Sequence, residues 1–170
     1  MSRDIVPICL GTSFPSRADA SRGSFRTAMS TEENKQLIRR YFEAIDAACE
    51  AGDAGIIDRF LAPDFVERNP FPGMEPTREG WKETFMEFVA GAPGYHMVED
   101  LVAEGDKVAG RITAYGTHKG MLFGIPATGK DIQVTGIAIW RVADGKIVEH
   151  WHQTDAMGLM QQLGVIPLPG

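Results

Sequence analysis

The chain has 170 residues, 44% of them hydrophobic and 24% charged, which suits one folded domain rather than a disordered polymer. Its formal net charge of −6 is uneven: residues 1–29 hold four Arg against Asp4 and Asp19, a net +2, leaving −8 for residues 30–170. So acidic a body repels phosphate backbones and anionic lipid, which argues against nucleic-acid and membrane partners. No apolar run is long enough to span a bilayer. Two cysteines, Cys9 and Cys49, make neither a disulfide framework nor a metal spacing, which points to a reducing, cytoplasmic setting.

In chain order, residues 1–29 are rich in Ser, Arg, Ala and Gly, and their one apolar patch, Ile5 to Leu10, is broken by Pro7. They read as a disordered extension, and residues 30–170 as a single domain. Ser30 and Glu33 have capping-box spacing. Leu37, Ile38, Tyr41, Phe42 and Ile45 then recur at helical steps until Gly52. Asp53 caps a short second helix carrying Ile56, Ile57, Phe60 and Leu61, stopped by Pro63. After the turn-rich Asn69–Gly73, Thr77 opens a third helix with Trp81, Phe85, Phe88 and Val89 on its buried side, ended by Gly91 and Pro93.

The period then changes from helical to two. Tyr95 to Glu104, Lys107 to His118, Asp131 to Val142 and Lys146 to Thr154 read as strands, joined in two places by turns too short for a parallel crossover. A last helix starts at Asp155 and stops at Gly164. The expected fold is therefore α+β: a curved antiparallel sheet packed on the N-terminal helices, coned around a hollow suited to a small molecule.

Several stretches carry a family resemblance. Gly116-Thr-His-Lys-Gly120, Gly124-Ile-Pro-Ala-Thr-Gly-Lys130, Gly145-Lys-Ile-Val-Glu-His-Trp151 and Gly158-Leu-Met-Gln-Gln-Leu-Gly164 occur in the order found in SnoaL-like polyketide cyclases. Phe65-Val-Glu-Arg-Asn-Pro70 resembles that family's first strand and loop. The family has the nuclear transport factor 2-like fold. The resemblance implies ring closure by intramolecular aldol condensation of a polyketide ester, with no metal or other cofactor. It also implies an acid–base Asp on the last strand, at the position of His152 here. An imidazole can carry the same proton and titrates nearer neutrality than a carboxylate. Arg68 is a second departure, standing where the family pattern has His.

The other candidates each have two readings. Val148, His150, His152 and Thr154 share one face of the last strand, and Ile147, Glu149, Trp151 and Gln153 the other. The resemblance favours the His152 face, whereas Trp151 argues for the opposite one. His150 reads first as a solvated residue, and the two histidines lack the further ligand that a metal site needs. His118 either touches the pocket or is a core histidine holding the Lys119–Lys130 loop. Asp155 is either an acid or, more simply, a helix cap. Asn69 either orients a substrate or makes a turn, and Arg68 either grips an ester oxygen or lies on the surface. Trp81, Phe85 and Trp140 are expected pocket walls. The expected activity is acid–base chemistry on a hydrophobic, oxygen-bearing carbonyl substrate, with His152 as the proton carrier. The alternatives are a binding or accessory protein with the same pocket, and an isomerase or dehydratase. A homodimer or higher homo-oligomer suits all three.

Overall fold

The computed structural model describes residues 29–167. The expectation of a disordered extension over residues 1–29 thus falls outside them except at Met29, which packs against the core.

Helix α1 (Thr31–Ala51) starts where the capping box predicts: Ser30 Oγ accepts from the Glu33 amide, and Glu33 Oε2 accepts from the Ser30 amide at 2.7 Å. Gly52 ends it in the left-handed conformation, φ 67°. The second helix is shorter than its sequence pattern suggests. After one 3-10 turn, α2 (Ile57–Phe60) stops before Leu61, which is already extended. The chain then runs as β1 (Leu61–Glu67). Pro63 explains the change, because it disfavours helix in the residue before it and is tolerated on an edge strand.

After α3 (Arg78–Gly91), the four expected strands follow as β2 (Gly94–Glu104), β3 (Lys107–Thr117), β4 (Asp131–Ala143) and β5 (Lys146–Thr154), and α4 (Ala156–Leu163) closes the chain. The sheet order is β1-β5-β4-β3-β2. The last four strands form the antiparallel meander, while β1 adds to β5 in parallel. The architecture is α+β, with four α-helices and a curved, unclosed sheet of five strands among the described residues.

The core lies between α1 and the inner sheet face. Ile38, Ile57 and Val108 have no exposed surface, and Trp140 is 2% exposed. On the opposite face Tyr95, Met97, Ile137 and Ile139 are exposed. Trp81, Phe85, Phe88 and Val89 of α3 are only half-buried. Their helix face does not close onto the sheet; it stands off from it and walls a cavity.

The entry into β2 fixes one end of this cavity. A Cβ at Gly94 would stand 1.7 Å from the Tyr115 carbonyl oxygen and 2.7 Å from the Gly116 Cα. Both are backbone atoms of the paired strand and cannot rotate away. Gly94→Ala is expected to lower stability by about 1–3 kcal/mol, as overpacking does, and to loosen the β2–β3 junction. Urea midpoints and hydrogen exchange at Tyr95 and His96 check this.

Candidate active site

Between α3 and the inner sheet face lies a cavity of about 750 Å³, a size typical of small-molecule sites. Its wall is mostly apolar, with Phe42, Phe71, Trp81, Phe85 and Trp140 among the residues on it. Ala114, Gly136 and Ala138 keep the sheet floor low. The polar groups are few and grouped.

The main group is built by the parallel β1–β5 pair. Glu67 ends β1 beside His150, and the Arg68 amide donates to the His150 carbonyl at 2.8 Å, locking the register. Period two then puts His150 and His152 on the inner face with Glu67. Glu67 is 1% exposed. Its Oε2 lies 2.6 Å from His150 Nδ1, and its Oε1 lies 3.3 Å from His152 Nδ1 and 3.0 Å from the Asn69 amide nitrogen. An ionised carboxylate only accepts, so the network assigns the Nδ1 proton to both imidazoles and leaves Nε2 as the free nitrogen of each.

Aromatic rings fix the pair. His150 stacks on Trp140 with centroids 5.5 Å apart and planes 8° apart, and on His152 at 5.1 Å. Trp81 meets both edge-on, and Phe71 covers His152 at 4.7 Å. Trp81 Nε1 donates to the buried Tyr41 hydroxyl at 2.8 Å. Burial raises the Tyr41 pKa well above the usual phenol range, so this hydroxyl stays neutral.

Burial by itself would raise the Glu67 pKa, but the hydrogen bonds from His150, His152 and the Asn69 amide outweigh it and bring it down to about 2. Burial lowers the His150 pKa against the pull of Glu67. The charge in this cluster therefore belongs on the carboxylate.

The sequence candidates separate cleanly. His150, His152, Trp81, Phe85 and Trp140 meet at the cavity. His150 is not the solvated residue its strand position suggests, being 7% exposed beneath Trp140 and Trp81. Trp151 faces the outer side, with Lys107 Nζ 5.9 Å from its ring, because strand alternation turns it away from His152. Arg68 is exposed and ion-paired with Glu149, which also pairs with Arg141. Asn69 is exposed and reaches the cluster through its backbone amide. Asp155 is exposed and caps α4, accepting from the Gly158 amide at 2.8 Å. His118 is fully buried outside the cavity wall, its Nδ1 3.0 Å from Thr128 Oγ1, and it holds the Lys119–Lys130 loop.

Two carboxylates escaped the sequence reading. Glu67 has a usable signal, since it follows Phe65 by two and so shares its buried face. Asp46, on α1 beside the apolar stripe, lies 2.6 Å from Nδ1 of the cavity-lining His96.

Glu67, His150 and His152 also offer three donor atoms within 4.8 Å of one another, enough to be considered for a divalent cation. Donors around a tetrahedral zinc stand ~3.3 Å apart. The 2.6 Å between His150 Nδ1 and Glu67 Oε2 is instead the length of a short, charge-assisted hydrogen bond.

Fold and site together define a class: a small α+β cone whose apolar cavity holds a carboxylate–imidazole cluster. The chain belongs to the SnoaL-like polyketide cyclase family, whose pattern matches residues 36–163. Aklanonic acid methyl ester cyclase DnrD of Streptomyces peucetius is 30% identical over 137 residues, covering 80% of this chain and 92% of that protein. Nogalonic acid methyl ester cyclase of Streptomyces nogalater is 27% identical, covering 69% and 90%. Among solved structures, TsrD of Streptomyces laurentii superposes with a TM-score of 0.70 at 31% identity, covering 81% and 99%. IdmH of Streptomyces antibioticus gives 0.66 at 34%, covering 77% and 98%.

The cluster predicts acid sensitivity in two stages. His150 has a lowered folded pKa, so the unfolded chain binds its proton first and stability falls as pH drops below about 6.5. Glu67 is lowered from 4.5 to about 2, so its contribution is present above pH 4.5 and is lost as pH falls toward 2. The second stage is worth about 3 kcal/mol. Urea midpoints measured against pH should show both stages, and Glu67→Gln should flatten the lower one.

Proposed function

We propose that the cavity is the active site of a cofactor-independent acid–base enzyme, an ester cyclase acting on a hydrophobic polyketide-like carbonyl compound. The observation that carries this reading is the buried Glu67 with two imidazole Nδ1 atoms turned toward it at the cavity wall. His152 is the proton carrier. Its Nδ1–H is held by Glu67, and its Nε2 takes a proton from the carbon next to a carbonyl. The pair of electrons left on that carbon attacks a second carbonyl of the same molecule, and His152 returns the proton to the oxygen formed. Proton count and charge balance without a metal or an external reductant.

Glu67 is the positioning residue. It fixes the tautomer of His152 and stabilises the imidazolium formed in mid-reaction, which a neutral amide does poorly. His150 holds the cluster in place by stacking between His152 and Trp140. The cavity's apolar wall excludes water, which strengthens each of these interactions. The relatives act, by their names, on methyl esters of aklanonic and nogalonic acid. An aromatic polyketide methyl ester is therefore the substrate class to try first.

The reading also includes a second copy of the chain. Tyr95, Met97, Ile137 and Ile139 make the outer sheet face apolar, and a homodimer would cover them. Sedimentation showing a dimer that Ile137→Asp converts to monomer is the expected result.

His152→Ala should reduce turnover of such esters by about 100-fold or more while leaving the circular dichroism spectrum near wild type, with the urea midpoint lowered by the loss of one donor to Glu67, a cost of about 1–3 kcal/mol. Glu67→Gln should lower kcat more than it raises KM. Treatment with a chelator should change neither constant. Full turnover by His152→Ala would overturn the assignment. Tight ester binding without turnover in the wild type would turn the reading to a binding protein.

A further inference from the structure

The cavity has a second polar group that this chemistry leaves unused. His96, the third residue of β2, lines the cavity, and Asp46 of α1 clamps it twice. Asp46 Oδ1 lies 2.6 Å from His96 Nδ1, and Oδ2 accepts the His96 backbone amide at 3.0 Å. Phe42 packs on the ring with centroids 5.2 Å apart. Backbone and side chain are thus oriented by one carboxylate, leaving Nε2 as the nitrogen free to meet a ligand. Such a bidentate clamp exceeds what packing alone requires at a half-buried strand position.

Its place in the sheet is remote from Glu67. His96 pairs with Ala114 on β3, which pairs with Val134 on β4. His152 pairs with Ala138 on β4, which pairs with Gly110 on β3. The two imidazoles are therefore three strands and four residues apart, ~14 Å across and ~13 Å along a flat sheet, and the curvature shortens the span. A chain of ring contacts, His150 to Trp140 to Phe42 to His96, runs along the wall between them. Ala114, Gly136 and Ala138 leave the floor beneath it low.

We propose that Asp46–His96 is a second subsite, which accepts a hydrogen bond from a phenolic or enolic hydroxyl at the far end of an elongated aromatic ligand whose carbonyl lies at His152. The proposal rests on the reading that the cavity takes a carbonyl-bearing substrate. With Nδ1–H given to Asp46, the imidazole tautomer so fixed presents its lone pair at Nε2, the atom that accepts from a ligand hydroxyl. Asp46 is a positioning residue and His96 the contact. The pair sets which molecules enter and in which direction, a task separate from moving the proton.

The test compares two probes by calorimetry: the methyl ester of a biphenyl carboxylic acid with a para hydroxyl on the far ring, and the same ester without it. Wild-type protein should bind the hydroxylated ester about tenfold more tightly, the size of one well-placed hydrogen bond. His96→Phe should bring the ratio to about one, whatever it does to the affinity for the plain ester. His152→Ala should keep the ratio. Its turnover separately judges the acid–base reading, so either proposal can fail alone. As a check that needs no substitution, the His96 Nε2 nitrogen-15 resonance of wild-type protein should shift with the hydroxylated ester only. A ratio of one in wild type, a ratio that survives His96→Phe, or no binding of either ester would overturn the proposal.

Discussion

Glu67 carries a negative charge at 1% exposure, and the architecture around the cavity follows from keeping that charge satisfied. An ionised carboxylate removed from water costs several kcal/mol unless donors replace its hydration. Here His150 and His152 come from β5 and one amide comes from the turn after β1. All three require β1 to lie parallel to β5 in this register. A slip by one residue would turn Glu67 outward and bring the cationic Arg68, exposed in the structure, against the imidazoles. The strand pairing and the charge specify each other.

The same constraint explains why the aromatic residues are arranged as they are. Imidazoles held by a carboxylate need flat surfaces to keep them from rotating, and Trp140 and Trp81 supply a face and an edge. Trp81 is in turn fixed by Tyr41 of α1. The helix layer thus reaches the cluster by side chains rather than by close packing, and the space left between is the cavity. Stability and the proposed chemistry draw on the same residues. Loss of one donor to Glu67 would loosen the wall as well as the chemistry.

The sequence was informative wherever local pattern decided structure. Capping at Ser30, the helical stripe of α1, the short turns between strands and the cap at Asp155 all appear in the structure as the residue spacing implies. The face of β5 was not decidable from alternation, because period two says which residues share a side and nothing about which side is inner. It takes β1, placed against β5 by a parallel contact across more than eighty residues, to orient it. That contact was hidden twice over: an apolar run through Leu61 continued the helical period past the true helix end, and Glu67 lay in a short strand with Pro63 inside it. Arg68 had a pocket reading and a surface one, and Trp151 argued for its own face as the inner one; alternation carries both to the outer face. Asp46–His96 was invisible for a similar reason, since a helix residue and a strand residue fifty apart meet only after the sheet curls over α1.

A cavity with polar groups at opposite ends and hydrocarbon between imposes a direction on whatever it binds. An apolar wall contributes affinity through area alone and tolerates a ligand inserted either way round. Direction comes from the ends: Glu67 fixes two imidazoles at one, and Asp46 fixes a third at the other. On the proposed reading neither carboxylate need touch the ligand to act, because each would set the tautomer of the ring that meets it. For a reaction that joins two carbons of one molecule, holding both ends reduces the number of folded-back conformers the chain can sample. If the proposed cyclisation takes place here, that restriction would favour one ring closure over its competitors before any proton moves.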